Sequence, residues 1–210
     1  MQTYCTKKNN KDFEFSKARV KYLKSNFLDK KDHYIILKNF EKDNKALKKK
    51  VKKIANLLGD TLPQNKLGKK VIEVKPKTSL LKKLSKNKKK EKLRYHQTNL
   101  GGSIHSDGPQ LLTPPNYVLM ACSKQAKKGG YSIIAHAKSV YNFIKKNKPH
   151  YLKILKNDFF FERRGFNYPN KNIFSKPIFE KRNNFFRFRY LREYIETAYK
   201  LKKIKLKDNQ

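Results

Sequence analysis

The chain has 210 residues, long enough for one ordinary domain that buries most of its apolar surface, and its 37% hydrophobic content with 14 Phe and 12 Tyr is too aromatic for a disordered chain. Its 53 Lys and Arg against 16 Asp and Glu give a formal charge of +37, which attracts nucleic-acid phosphates, acidic membranes and small anions. No stretch approaches the roughly 20 apolar residues of a membrane span, the start MQTYCTKKNNKD lacks an apolar signal core, and Cys5 and Cys122 form no metal or redox spacing, so the expected setting is a reducing cytoplasm without membrane attachment.

Residues 1–32 are polar and weakly periodic and read as an amino-terminal extension ahead of a domain over 33–210. The first element is expected at HYIILKNF (33–40), a short strand. A helix follows over 43–58, where Leu47, Val51, Ile54 and Leu58 recur at helical spacing and lysines fill the outward positions. Asp43 or Asn44 can cap its start and Gly59 its end. These lysines coat a docked helix, as in a chain with lysine-biased usage throughout, and need no nucleic-acid role. KKVIEVKP (69–76) alternates as a strand stopped by Pro76. The densest charge run, Lys82 to Lys92, is a helix end or an exposed loop.

From residue 93 the texture changes to Gly and Pro turns between short apolar runs, among them YVLMAC (117–122) and YSIIAHA (131–137), which indicates a β-rich sandwich or barrel. Helices are expected at about 138–145 and 149–156, the second with Pro149 in its first turn. FFRFRYL (185–191) reads as a further strand. It leads into a helix on which Leu191, Ile195, Ala198 and Leu201 share a face.

GGSIHSDGPQLLTPPNYVLMAC (101–122) is nearly free of charge in this lysine-laden chain. On an extended strand His105 and Asp107 project to the same side, so an imidazole nitrogen and a carboxylate oxygen can grip one ion together. With a second imidazole from elsewhere they make the facial arrangement that holds non-haem Fe(II) and leaves positions open. The flanking glycines let the backbone bend around such a site.

The block YHQTNLGGSIHSDGPQLLTPPNYVLMACSKQAKKGGYSII resembles, in order and spacing, the Fe(II)/2-oxoglutarate-dependent dioxygenases of the taurine dioxygenase-like (TauD/TfdA) superfamily. Those proteins show His-x-Asp-Gly, a proline-led apolar strand, a Cys and a Gly-Gly-x-Ser/Thr turn. The likeness runs over about residues 33–200, with KPIFEKRNNFFRFRYLREYI similar to the family's later central section. It implies an α+β fold with a double-stranded β-helix (jelly-roll-like) core and flanking helices. It also implies Fe(II) and 2-oxoglutarate as cofactors, O2 as cosubstrate, and hydroxylation of a small-molecule substrate coupled to decarboxylation of 2-oxoglutarate to succinate. By the same resemblance His105 and Asp107 match the first two iron ligands. Ser132 matches the Ser/Thr that hydrogen-bonds the 2-oxoglutarate carboxylate.

The family's third ligand, a distal His, and the Arg that anchors the far carboxylate of 2-oxoglutarate have no counterpart before Gln210. The expectation is a chain incomplete at its carboxy terminus, with a separately encoded fragment as partner, or a degenerate member inactive alone. His136 and His150 are the internal substitutes to weigh, with packing and exposure as their ordinary roles. His96, Asn99 and Arg189 are candidate substrate contacts. Against this stand a polar turn for His96, Gln97 and Asn99, a surface position for each of Arg163, Arg164, Arg187, Arg189 and Arg192, and a buried packing role for Cys122. The alternative function is a basic nucleic-acid-binding protein, resting on charge and on aromatics interleaved with arginines in FFFERRGF and FFRFRY, with nucleic acid otherwise bound only nonspecifically.

Overall fold

The computed structural model describes residues 3–5, 16–28, 34–38, 40, 43–65, 67–75, 101–166, 172–182 and 185–206. They belong to two units, one of residues 1–72 with 117–129 and one of residues 73–116 with 130–210.

In the first unit, strand β1 (Thr3–Cys5) pairs in parallel with β2 (Ile36–Lys38). Helix α1 (Lys17–Leu23) starts where the Ser16 hydroxyl accepts the Arg19 amide at 3.2 Å, and it runs on into a π-helical turn, Lys24–Leu28. Helix α2 (Asn44–Leu58) is capped by Asp43, whose Oδ2 accepts the Ala46 amide at 2.7 Å, and ends at Gly59 with φ of 150°. Its Leu47 and Ile54 are buried while Lys48, Lys49, Lys52 and Lys53 are exposed, as the periodicity predicts. Lys50 lies over the Phe40 ring at 5.7 Å. Val20 and Leu23 of α1 share a core with Ile54.

Helix α1 precedes the strand expected over 33–40 as the first element: Val20 and Leu23, three apart, make a short apolar stripe that tertiary packing stabilises despite weak periodicity. The strand expected over 69–76 is absent from residues 69–75. There Gln64 donates its amide to the Lys69 carbonyl at 2.7 Å and Asn65 Oδ1 accepts the Leu67 and Lys69 amides, so local side-chain and backbone bonds shape a loop, leaving Ile72 and Val74 exposed. Pro76 and the Lys82–Lys92 run lie outside the described residues.

Among its described residues, the second unit has helices α3 (Ala137–Asn147) and α4 (Pro149–Leu155), close to the expected spans, with Pro149 at the first helical position. Strand β3 (Asp158–Glu162) pairs antiparallel with β4 (Ile173–Pro177), placing Phe161 opposite Phe174. Strand β5 (Phe179–Arg182) pairs antiparallel with β6 (Phe185–Phe188), placing Phe179 opposite Phe188. Helix α5 (Arg192–Lys202) packs across β3 through Ile195, Ala198 and Tyr199, while Leu201, expected on the same face, is exposed. Phe159, Phe161, Ile178, Phe179, Ile195 and Tyr199 form the core with Tyr141 and Leu152. Tyr141 meets Phe179 and Phe186 edge-on at 5.4 and 5.5 Å, contacts worth about 0.5–1.5 kcal/mol each beyond their buried area.

The protein is thus α+β, with three two-stranded sheets among the described residues. The strands expected at YVLMAC and YSIIAHA are not among them. Residues 117–136 carry no sheet pairing, and Tyr131 and Ile133 are 90% and 95% exposed. Alternation gave these runs an apolar face, but no strand hydrogen-bonds along them among the described residues.

Candidate functional site

His105 and Asp107 converge without a strand. Residues 101–107 have no sheet pairing, and the backbone turns at Gly108, whose φ is +66°. A Cβ at Gly108 would lie 2.6 Å from Pro115 Cδ, so both the left-handed conformation and the close approach require glycine here. The His105 ring donates its Nδ1–H to the Ser103 carbonyl at 2.6 Å, because a carbonyl can only accept. In the neutral imidazole this makes Nε2 the basic nitrogen, and Nε2 faces Asp107 Oδ1 at 4.0 Å. Two cis donors on a divalent first-row ion, at bond lengths of about 2.1 Å, sit about 3 Å apart. A shift of about 1 Å therefore brings this pair to bonding distance, and the donor chemistry fits such an ion. His105 is half-buried and Asp107 exposed, so the pair opens to solvent on its carboxylate side.

The loop that carries the pair is tied to the end of β6. The Ser106 amide donates to the Tyr190 carbonyl at 2.8 Å, and the Tyr190 amide donates to Ser106 Oγ at 2.9 Å. Arg189 reaches beneath the following turn: Nη1 donates to the carbonyls of Pro109, at 2.8 Å, and Leu111, and Nη2 donates to that of Leu112 at 2.9 Å. Its guanidinium also lies over Phe174 at 5.1 Å and Phe161 at 5.9 Å. Arg189 is 1% exposed, and burial, with Arg187 nearby, pulls its pKa down to about 10, so it remains cationic at neutral pH.

Arg189 therefore corrects the surface position expected for it. Arg163 does so too: it is buried and lies over Phe174 at 5.9 Å. The reason is common to both. An arginine next to aromatic strands is buried when its flat cation finds ring faces and, for Arg189, carbonyl groups to satisfy its donors. Arg164 and Arg187 are half-buried, and Arg192 is exposed and bonded to Glu196 at 2.7 Å. Cys122, expected as a packing residue, is exposed because its run pairs with no strand.

Ser132 is exposed in the stretch before α3. His136 occupies the N-cap position of α3 without a side-chain capping bond, its Nδ1 3.5 Å from Ser139 Oγ, and His150 is exposed at the start of α4 beside the Tyr151 ring. His96 and Asn99 lie outside the described residues. No group of three or more His, Cys, Asp or Glu able to hold a metal ion is present among the described residues. Sequence reasoning missed the Ser106–Tyr190 pairing and the Arg189 clamp. Their one sequence signal was an arginine between aromatics.

Residues 17–200 match the family described as Taurine catabolism dioxygenase TauD, TfdA family. The match spans most of the chain, and the chain belongs to this family. It begins at Lys17, the first residue of α1, and its centre contains the His-x-Asp turn. No curated protein matches the chain. Membership makes this a protein of a dioxygenase family, whose members generally use Fe(II) and 2-oxoglutarate. No helix among the described residues is long and apolar enough to cross a membrane.

Proposed function

We propose that this chain is a Fe(II)- and 2-oxoglutarate-dependent dioxygenase that hydroxylates a small molecule, on the jelly-roll core of its family. His105 Nε2 and an Asp107 oxygen hold the iron, and Ser132 hydrogen-bonds a carboxylate of 2-oxoglutarate once brought to the pair. His96 and Asn99, outside the described residues, are the proposed substrate contacts. The observation that supports this most is the 4.0 Å approach of Nε2 to Oδ1, in a ring whose other nitrogen is committed to Ser103. A metal-binding imidazole is ordinarily oriented in this way. Bound iron with 2-oxoglutarate supplies the oxidising chemistry. The protein's residues orient the groups and limit water around them. In this reading a third protein donor and a cation for the far carboxylate complete the site, and the cytoplasm is its setting.

Anaerobic addition of Fe(II) and 2-oxoglutarate to the full chain is expected to produce a visible charge-transfer band that is lost in His105→Ala and in Asp107→Ala. A wild-type chain that gives no band, alone or with a polypeptide carrying the distal His and Arg, overturns the proposal.

The nucleic-acid reading loses its specific support. Phe159, Phe161 and Phe166 of FFFERRGF are buried, and Phe186 and Phe188 pack on Phe179, so these rings are not a platform for stacked bases. Charge alone gives attraction that falls steeply with salt.

A further inference from the structure

We infer that Arg189 is the positioning residue of the proposed iron site: through the carbonyls of Pro109, Leu111 and Leu112 it fixes the turn after Asp107, and with it the separation of His105 from Asp107. The inference rests on the functional reading above and replaces the substrate contact expected for Arg189.

Gly108 turns the backbone after Asp107 into a left-handed conformation, and the next residues aim the carbonyls of 109, 111 and 112 at one point. Three carbonyl dipoles converging on a site away from water repel one another and leave acceptors unsatisfied unless a donor with several N–H groups fills it. A guanidinium is the side chain with that fan of donors, and its charge strengthens each bond. Phe174 and Phe161 hold the group in place from the sheet. On the other side of Asp107, the two bonds between Ser106 and Tyr190 fix the chain just after His105. Consecutive residues 189 and 190 thus grip the motif on both flanks. Asp107 itself is exposed, so its position follows from these neighbours.

The clamp also explains why a cation is buried here. No carboxylate hydrogen-bonds the Arg189 guanidinium among the described residues, and its donors go to backbone oxygens, which a substrate contact would have to give up.

The test uses the full chain carrying Arg189→Lys, with Ser106→Ala as a second variant that creates no cavity large enough to threaten folding. Ile195→Val, in the core of the same unit but away from the loop, is the control for plain destabilisation. Two readouts are taken. In metal-free protein, hydrogen exchange at the Ser106 and Leu111 amides reports the turn. In anaerobic titrations, Fe(II) affinity in the presence of 2-oxoglutarate, with the position of the charge-transfer band, reports the site. Arg189→Lys is expected to speed exchange at both amides and weaken Fe(II) binding about 10- to 100-fold, the usual effect of removing a group that orients a metal ligand. Ser106→Ala is expected to change both in the same direction by less, and Ile195→Val to leave the band and affinity unchanged. Unchanged exchange at Ser106 and Leu111 in Arg189→Lys overturns the inference. So does a loss of affinity that Ile195→Val reproduces at equal stability. If Arg189→Lys does not fold, unchanged exchange and affinity in Ser106→Ala overturn it. If wild type binds no Fe(II) while Arg189→Lys loosens the turn, the dioxygenase reading fails and the clamp stands as a device of the fold alone.

Discussion

Strand β3, with Phe159, Phe160 and Phe161, and the stretch 131–134, with Tyr131, Ile133 and Ile134, are both short runs rich in large apolar residues, yet they meet opposite fates. In β3, Phe159 and Phe161 are 2% and 0% exposed, because β4 supplies the ladder and α5 covers the face. Tyr131 and Ile133 are almost fully in water. Alternation specifies which side of a strand is apolar and leaves open what will cover it. The burial therefore depends on a second segment, and aromatic pairs such as Phe161 with Phe174 mark where that segment was found.

The contrast can be broken most forcefully at Phe161. Phe161→Ala removes a fully buried ring that stacks on Phe174 at 5.7 Å and lies under Arg189, and should destabilise the second unit by about 3–5 kcal/mol in denaturant titrations. Gly108→Ala comes next. The left-handed φ and the approach to Pro115 should together cost about 1–3 kcal/mol and weaken Fe(II) binding, as measured by parallel thermal melts and anaerobic titration. Asp43→Ala, which deletes the cap of α2, should cost about 1 kcal/mol, read as lost helicity and a lower midpoint. The smallest effect belongs to the exposed stretch: Ile133→Thr should change stability by less than about 0.5 kcal/mol, and a larger loss would mean that this run is covered after all.

A pH series sharpens the same comparison. Burial lowers the Arg189 guanidinium to about 10, so the unfolded chain holds that proton more tightly than the native one. The contribution of Arg189 to stability is then flat through neutral pH and rises only as pH climbs past about 10. Exchange protection at the Ser106 amide, once corrected for intrinsic rates, should accordingly be constant between pH 6 and 9.

The helices were the most legible part of the sequence. In α2 the spacing of Leu47 and Ile54, the Asp43 cap and Gly59 are local signals, and each is realised. Pro149 at the start of α4 is of the same kind. The His-x-Asp pair was visible as a motif, but its geometry was not. The two side chains meet through a glycine turn held by residues some 80 positions later, and no local pattern encodes that reach. Arg189 looked like a surface residue because alternation in FFRFRY reports a face, and only the carbonyls of another segment turn that face into an interior. Helix α1 was missed for a similar reason, since Val20 and Leu23 gain their meaning from Ile54.

The exposure of Tyr131 and Ile133 has a practical corollary for a chain of formal charge +37. Mutual repulsion between copies keeps such apolar groups from meeting in dilute buffer, where charge acts over about 10 Å at 0.1 M salt. At 1 M that range contracts to about 3 Å, while strongly hydrated anions such as sulfate favour apolar association. Concentrated ammonium sulfate should thus precipitate this protein early, and low-salt buffers should keep it dispersed.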